Sequence, residues 1–193
     1  MPQYSLGLYE KAMPDGLSVR EMLELTKRTG FDRLELSIDE SDMRLARLDW
    51  TSDQVRGLKC MMDDSSILIR TMCLSGHRKY PLGSHDPVIR ERSLEIMRKA
   101  VGLAAELGIA IIQLAGYDVY YETGDEETRA WFAQNLAIST EMAAKAGVLL
   151  GFETMETPFM DTVGKAMAYV NLIGSPYLGV YPDIGNLKNA AVL

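Results

Sequence analysis

Two carboxylates in this chain end apolar, strand-like runs. Glu153 follows Val148-Leu149-Leu150-Gly151-Phe152, and Asp183 follows Leu178-Gly179-Val180-Tyr181-Pro182. One helical segment separates them, which predicts adjacent parallel strands. Catalytic residues of parallel barrels collect at the carboxyl ends of such strands. Hard divalent cations prefer carboxylate oxygens, so a facing pair suits a metal ion or an acid/base couple. The plainer alternative makes Asp183 a turn residue and Glu153 a surface acid or helix cap, because aspartate often serves turns. Glu156 lies past the apolar run and reads as solvated or as a loop contact.

Other rim candidates follow from their places after strands. His77 closes Ser75-Gly76-His77 after the apolar stretch 67–74, where an imidazole could meet a substrate hydroxyl or phosphate, or move a proton. Hydrogen bonding within its own loop is the competing reading. Arg78 and Lys79 offer positive charge for an anionic group, or a solvated loop. His85 reads as a residue flanking a helix cap. Gly116-Tyr117-Asp118-Val119-Tyr120-Tyr121-Glu122 combines hydroxyls, acids and an apolar wall, which suits sugar recognition as well as loop packing. Glu10 and Glu35 lie at or within early strands, and the pattern does not decide whether Glu35 points inward or to the rim. The methionines sit mostly at core spacing.

The elements that must position these residues alternate. Strands are predicted over 4–9, 33–38, 67–74 and 109–115, and in the runs before Glu153 and Asp183. Ser18 with Glu21, and Thr51 with Gln54, form capping boxes that open helices. Val19, Met22, Leu25 and Thr29 form the first inner stripe; Val55, Leu58 and Met62 form the next. Asp86-Pro87 opens the strongest helix, carrying Ile89, Ile96, Ala100, Leu103 and Leu107. Residues 127–146 form a helix with Trp131, Leu136, Met142 and Ala143 inward, and 163–173 form the fifth. The charged stretch 40–50 reads as a loop on the site side. Gly30, Gly108, Gly147 and Gly174 each close a helix before a strand. Repeated βα units imply a right-handed parallel α/β fold. No glycine-rich phosphate loop follows the first strand, so a barrel is favoured over a doubly wound sheet. A complete (β/α)8 TIM barrel needs roughly 250 residues. The 193 residues form a single domain, 1–193, with room for about six units. That predicts a barrel cut short after about the sixth strand.

Hydrophobic residues at 47% and charged residues at 24% describe a globular chain with ample core material. The net charge of -7 argues against nucleic acid and anionic membranes as partners, but not against an anionic metabolite held through a metal or local cations. Cys60 and Cys73 lack metal-type spacing and read as reduced thiols of a cytoplasmic protein. Met1-Pro2-Gln3-Tyr4 has no signal-peptide character, and no apolar run is long enough to span a membrane.

Longer segments carry a resemblance. Leu6-Gly7-Leu8-Tyr9-Glu10-Lys11-Ala12, Leu34-Glu35-Leu36-Ser37-Ile38-Asp39-Glu40, the stretch from Cys73-Leu74-Ser75-Gly76-His77-Arg78 to Ser84, the stretch from Gln113 to Glu122, and Tyr181-Pro182-Asp183-Ile184-Gly185-Asn186-Leu187 occur in order. They resemble the L-ribulose-5-phosphate 3-epimerases, also called L-xylulose-5-phosphate 3-epimerases, among the xylose-isomerase-like barrels. The resemblance runs to about Lys188 and implies a divalent metal (Mn²⁺, Mg²⁺, Co²⁺ or Zn²⁺) held by Glu, Asp, His and Glu. Glu153 and Asp183 match the first two ligands; the later His and Glu have no counterpart. Glu153 is then also one of two proton-transfer groups that invert C3 of a pentulose 5-phosphate through an enediolate. His77 matches a rim histidine expected to face substrate. Tyr117 and Asn186 are further substrate-side candidates, although related ketose epimerases often carry histidine at the latter place. The implied partner is a small sugar phosphate, and a homodimer is left open. The ending Asn189-Ala190-Ala191-Val192-Leu193 does not resemble the family. A truncated or fragmentary chain with little or no activity is therefore expected. The rival readings are another sugar isomerase or epimerase of the same barrel group, and a non-catalytic sugar-phosphate-binding remnant.

Overall fold

The structure, a computed structural model, describes residues 4–192; the readings that fall on residues 1–3 and Leu193 lie outside them. Strands and helices alternate as β1 (Gly7–Tyr9), α1 (Val19–Arg28), β2 (Arg33–Ser37), α2 (Asp42–Leu45), α3 (Ser52–Ser65), β3 (Leu68–Leu74), α4 (Pro87–Leu107), β4 (Ile111–Leu114), α5 (Glu126–Ala146), β5 (Leu149–Glu153), α6 (Val163–Ile173), β6 (Leu178–Tyr181) and α7 (Ile184–Ala190). All neighbouring strands pair in parallel, in the order β1-β2-β3-β4-β5-β6. A doubly wound sheet reverses its strand order at a switch point. Sequential order without reversal is the barrel arrangement.

Local chemistry explains the helix starts. Ser18 and Glu21 form a reciprocal capping box on α1, and Thr51 and Gln54 do so on α3. Asp86 caps α4 with Pro87 in its first turn. Gly108, Gly147 and Gly174 adopt φ of 75°, 70° and 64°, a left-handed cap that returns the chain to the sheet. The core lies between sheet and helices. Outward-facing Leu34, Leu36, Met72, Ile112, Leu150 and Phe152 are buried with Leu23, Leu58, Ile96, Phe132 and Leu136. Each such side chain stabilises the fold by about 1.5–3 kcal/mol.

Three expectations are corrected. The stretch 40–50 is not a loop: Ser41 caps α2, and Ala46–Asp49 continues as a 3-10 turn. Its two arginines are turned inward, Arg44 and Arg47 pairing with Glu10, while Asp42 and Asp49 stay exposed. Trp131 is not inward but 38% exposed, with Arg90 stacked 4.2 Å from its ring, while Phe132 takes the core position. Thr29 is exposed, and Leu23 and Thr26 are buried in its place on α1.

Candidate functional site

Strand alternation builds a cavity. Side chains of one row across a parallel sheet point to the same side. Cys73, Gln113, Gly151 and Gly179 are successive register partners, and the first two line a cavity of about 470 Å³. The row thus ends in two glycines, so β5 and β6 place no side chain there and the space stays open. One step further along, Glu153 pairs with Tyr181, and both face the same cavity. Every strand contributes: Tyr9 from β1, Glu35 from β2, Cys73 from β3, Gln113 from β4, Glu153 from β5 and Tyr181 from β6. Glu35 therefore points inward, the choice that its local sequence left open.

Glu153 and Asp183 enter this cavity together. Thr154, fully buried, holds the crossing: its Oγ1 accepts from the Asp183 amide at 2.9 Å, and its carbonyl accepts from Asn186 Nδ2 at 2.9 Å. Asp183 also caps α7, its Oδ1 accepting from the Asn186 amide at 2.8 Å. Asp183 thus takes a turn and cap position and also faces the cavity. Gly116 lets the tyrosine loop pass against β5, because a Cβ there would collide with the Glu153 carbonyl oxygen and Met160.

Electrostatics mark Glu153. Burial, then the neighbouring Asp183 and Glu35 carboxylates, push it up to about 7; Arg78 and Gln113 act in the opposite direction. Burial also raises Glu35, against the hydroxyl of Tyr181 that donates to its Oε2 at 3.2 Å. The Cys73 thiol is pushed up to about 11, chiefly by burial, and forms a neutral wall with Tyr9, whose hydroxyl lies 3.4 Å from it. Nearby, Lys11 pairs with Asp39 at 2.8 Å.

Two predicted site residues do not line the cavity. His77 is buried with Nε2 3.2 Å from the Ser93 carbonyl oxygen of α4, and burial depresses it to about 4. The cause is the 3-10 turn Ser75–Arg78, in which residues three apart eclipse. Ser75 and Arg78 share the cavity side, and His77 turns to the helices. Tyr117 is buried beside Arg78 and packs edge-on to Tyr120 at 4.7 Å. His85 bridges Glu122 and Asp125 at 3.3 and 3.0 Å, a loop clamp outside the cavity. Glu156 is exposed and accepts from Asn189 Nδ2 at 2.7 Å. Tyr9, Cys73, Gln113 and Tyr181 were not singled out as site residues from the sequence; Gln113 and Cys73 share the register row of Gly151, two residues before Glu153, while Tyr181 pairs with Glu153 and Tyr9 with Glu35.

The family described as "Xylose isomerase-like TIM barrel" matches residues 23–191. The chain belongs to that family. L-ribulose-5-phosphate 3-epimerase UlaE of Salmonella typhimurium is 48% identical over 186 residues, covering 96% of this chain and 66% of the relative. The chain thus spans just under two thirds of the length of that curated relative. Among solved structures, D-psicose 3-epimerase with D-fructose matches at TM-score 0.81 and 16% identity, covering 96% of this chain and 65% of that one. A xylose isomerase-like protein from Mycobacterium smegmatis in complex with magnesium matches at TM-score 0.72 and 15% identity, covering 96% and 66%. At such identities these two likenesses show the barrel fold alone. No helix among the described residues is long and apolar enough to cross a membrane.

Proposed function

We propose that this chain carries the first part of the active site of a cytoplasmic L-ribulose-5-phosphate 3-epimerase, acting on a pentulose 5-phosphate. Its relative of 48% identity supports the substrate class. The observation that carries the chemistry is Glu153, a carboxylate at a strand end, beside Asp183, held up to about 7. A carboxylate facing the cavity is well placed to take a proton from carbon.

The donor set fits a hard divalent cation. Two carboxylates share one cavity, and their repulsion is part of what lifts Glu153. Glu153 and Asp183 are the residues that would hold it; among the described residues no group of three His, Cys, Asp or Glu side chains is gathered. When bound, such a cation supplies Lewis-acid stabilisation of the negative charge that develops on the ketone oxygen. The chain's own contribution is more specific. Glu153 takes the C3 proton, leaving an enediolate. Asp183, fixed by Thr154 and by its cap on α7, keeps negative charge beside Glu153. Asn186 lines the cavity with its amide nitrogen already bound, an arrangement that leaves its Oδ1 for a substrate hydroxyl. Gln113 and the neutral Cys73 thiol form the floor. Return of a proton to the opposite face of C3 requires a second acid.

The test is deuterium incorporation into L-ribulose 5-phosphate in deuterated water with added Mn²⁺. It is run on this chain and on a version extended to the length of its relatives. Label at C3 with L-xylulose 5-phosphate appearing is the expected result for the extended protein, and little or none for the shorter. Glu153→Gln should lower the rate by about 10²–10⁴-fold. Label at C1 would instead identify an aldose–ketose isomerase and overturn the reading.

A further inference from the structure

Tyr181 on β6 and Glu35 on β2 meet inside the sheet: the Tyr181 hydroxyl donates to Glu35 Oε2 at 3.2 Å. The two strands stand four places apart in the strand order. Neighbouring strands lie about 4.8 Å apart, so a flat sheet would separate these two by about 19 Å, farther than the two side chains reach together. The contact therefore exists only because the sheet curls. A glycine makes room for it: a Cβ on Gly151 of β5 would stand 3.2 Å from the Tyr181 Cβ. The hydroxyl of Thr71, the register partner of Glu35 on β3, lies beside both groups.

Position gives this bond its bearing on the site. Tyr181 is the register partner of Glu153 and lies two residues before Asp183. Thr154 fixes the Asp183 backbone from the loop side. Backbone pairing joins β6 to β5, its one strand neighbour among the described residues. Neither contact sets how far β6 leans over the cavity. The bond from Tyr181 to Glu35 does, because it ties β6 to the opposite wall. Functional side chains have to be held within about 0.5 Å of their working geometry, so a tie of this kind bears directly on the carboxylate pair.

Resting on the epimerase reading above, we propose that Glu35 is a positioning residue that acts through Tyr181. Their hydrogen bond is an internal strut that holds the curl of the sheet and, with it, Glu153 and Asp183 at their working separation. What Glu35 supplies is an acceptor rather than a charge. A glutamine keeps that acceptor; a leucine of similar size does not.

Mn²⁺ uptake by the 193-residue chain, followed by electron paramagnetic resonance, tests this. Tyr181→Phe removes the hydroxyl and no charge, and should weaken Mn²⁺ binding about 2–10-fold, the range for one hydrogen bond. Glu35→Leu should weaken it by a similar factor, and Glu35→Gln should bind as the wild type does. The double variant Glu35→Leu, Tyr181→Phe should be no weaker than Glu35→Leu alone, because both changes break the same bond. Tyr181→Phe carries the test if the leucine variant fails to fold. Wild-type affinity in Tyr181→Phe overturns the proposal, whatever its melting temperature, since a merely structural bond would alter melting alone. So do a glutamine variant as weak as the leucine one, losses that multiply in the double variant, and a wild type that takes up no Mn²⁺. C3 exchange by the extended protein separates the strut from the function itself. There Tyr181→Phe should lower kcat about 2–10-fold and leave KM unchanged. Exchange at wild-type kcat in that variant removes the strut and keeps the epimerase. Weakened Mn²⁺ binding in Tyr181→Phe, with no exchange even by the extended wild type, removes the epimerase and keeps the strut.

Discussion

Glu10, buried, and Glu35, half-buried, are both glutamates near the start of the chain, and their surroundings drive them in opposite directions. Burial alone would raise Glu10, but hydrogen bonds from Arg47, the Ser37 amide and Arg44 outweigh it, and the carboxyl is held below its ordinary range. Arg47 reaches it at 2.6 and 2.8 Å, and Arg44 at 3.1 Å. A depressed folded pKa gives stability that is present above the unfolded value and lost as pH falls through the folded one. Glu10→Gln should therefore cost about 3–5 kcal/mol at neutral pH, the range for breaking a buried pair, and much less in acid. Urea denaturation at pH 7 and pH 3 checks this; an equal cost at both would contradict it. Glu35 carries the opposite sign, since burial lifts it and the Tyr181 hydroxyl only partly opposes. Its contribution is present at low pH and lost as pH rises, so Glu35→Gln should stabilise the chain at pH 8 relative to pH 4. Nothing in the local sequence distinguishes these two. Glu10's fate rests on arginines 34 and 37 residues later, and Glu35's on the burial that the folded sheet imposes, which a tyrosine 146 residues later only partly opposes. His77 fails for a related reason. A strand-end position was legible, but the rotation of the 3-10 turn that gives the cavity to Ser75 and Arg78 was not.

At the scale of elements, β5, β6 and α7 act as one positioning unit. Thr154 ties the end of β5 to the Asp183 amide, and Asn186 ties α7 back to the Thr154 carbonyl. Thr154→Val keeps the shape and removes the hydroxyl, leaving the Asp183 amide without its acceptor. The expected cost is about 1–3 kcal/mol in stability. Glu153 should also lose part of its raised pKa as Asp183 drifts from it. A variant of wild-type stability by thermal melting would show that the tie is incidental. Much at this scale was legible because it is local: the capping boxes at Ser18 and Thr51, Asp86-Pro87, and the glycines at 108, 147 and 174 all act where their sequence places them. The misreadings arose where tertiary contacts decide. α2 is four residues long and takes its order from the Ser41 cap and the pairing of Arg44 with Glu10 and Asp39. On α5 the buried residues include Phe132, Leu136, Thr140 and Ala143, so Trp131 is one residue out of phase and stacks with Arg90 instead.

Across the whole molecule, six parallel strands in sequential order bring one inward row from each to a common cavity, with acids on β2, β5 and the β6–α7 turn. β1 and β6 form the two edges of the described sheet. The account turns on Glu153 and Asp183 sharing that cavity closely enough to alter each other's charge. Carbon-detected NMR of the Glu153 carboxyl across a pH titration, in metal-free wild type and in Asp183→Asn, measures this directly. The account predicts that Glu153 titrates at about 7 in the wild type and at a lower pH in Asp183→Asn, because a neighbouring negative charge has been removed. Titration near the ordinary 4.5 in both proteins would contradict it, and with it the paired-carboxylate site.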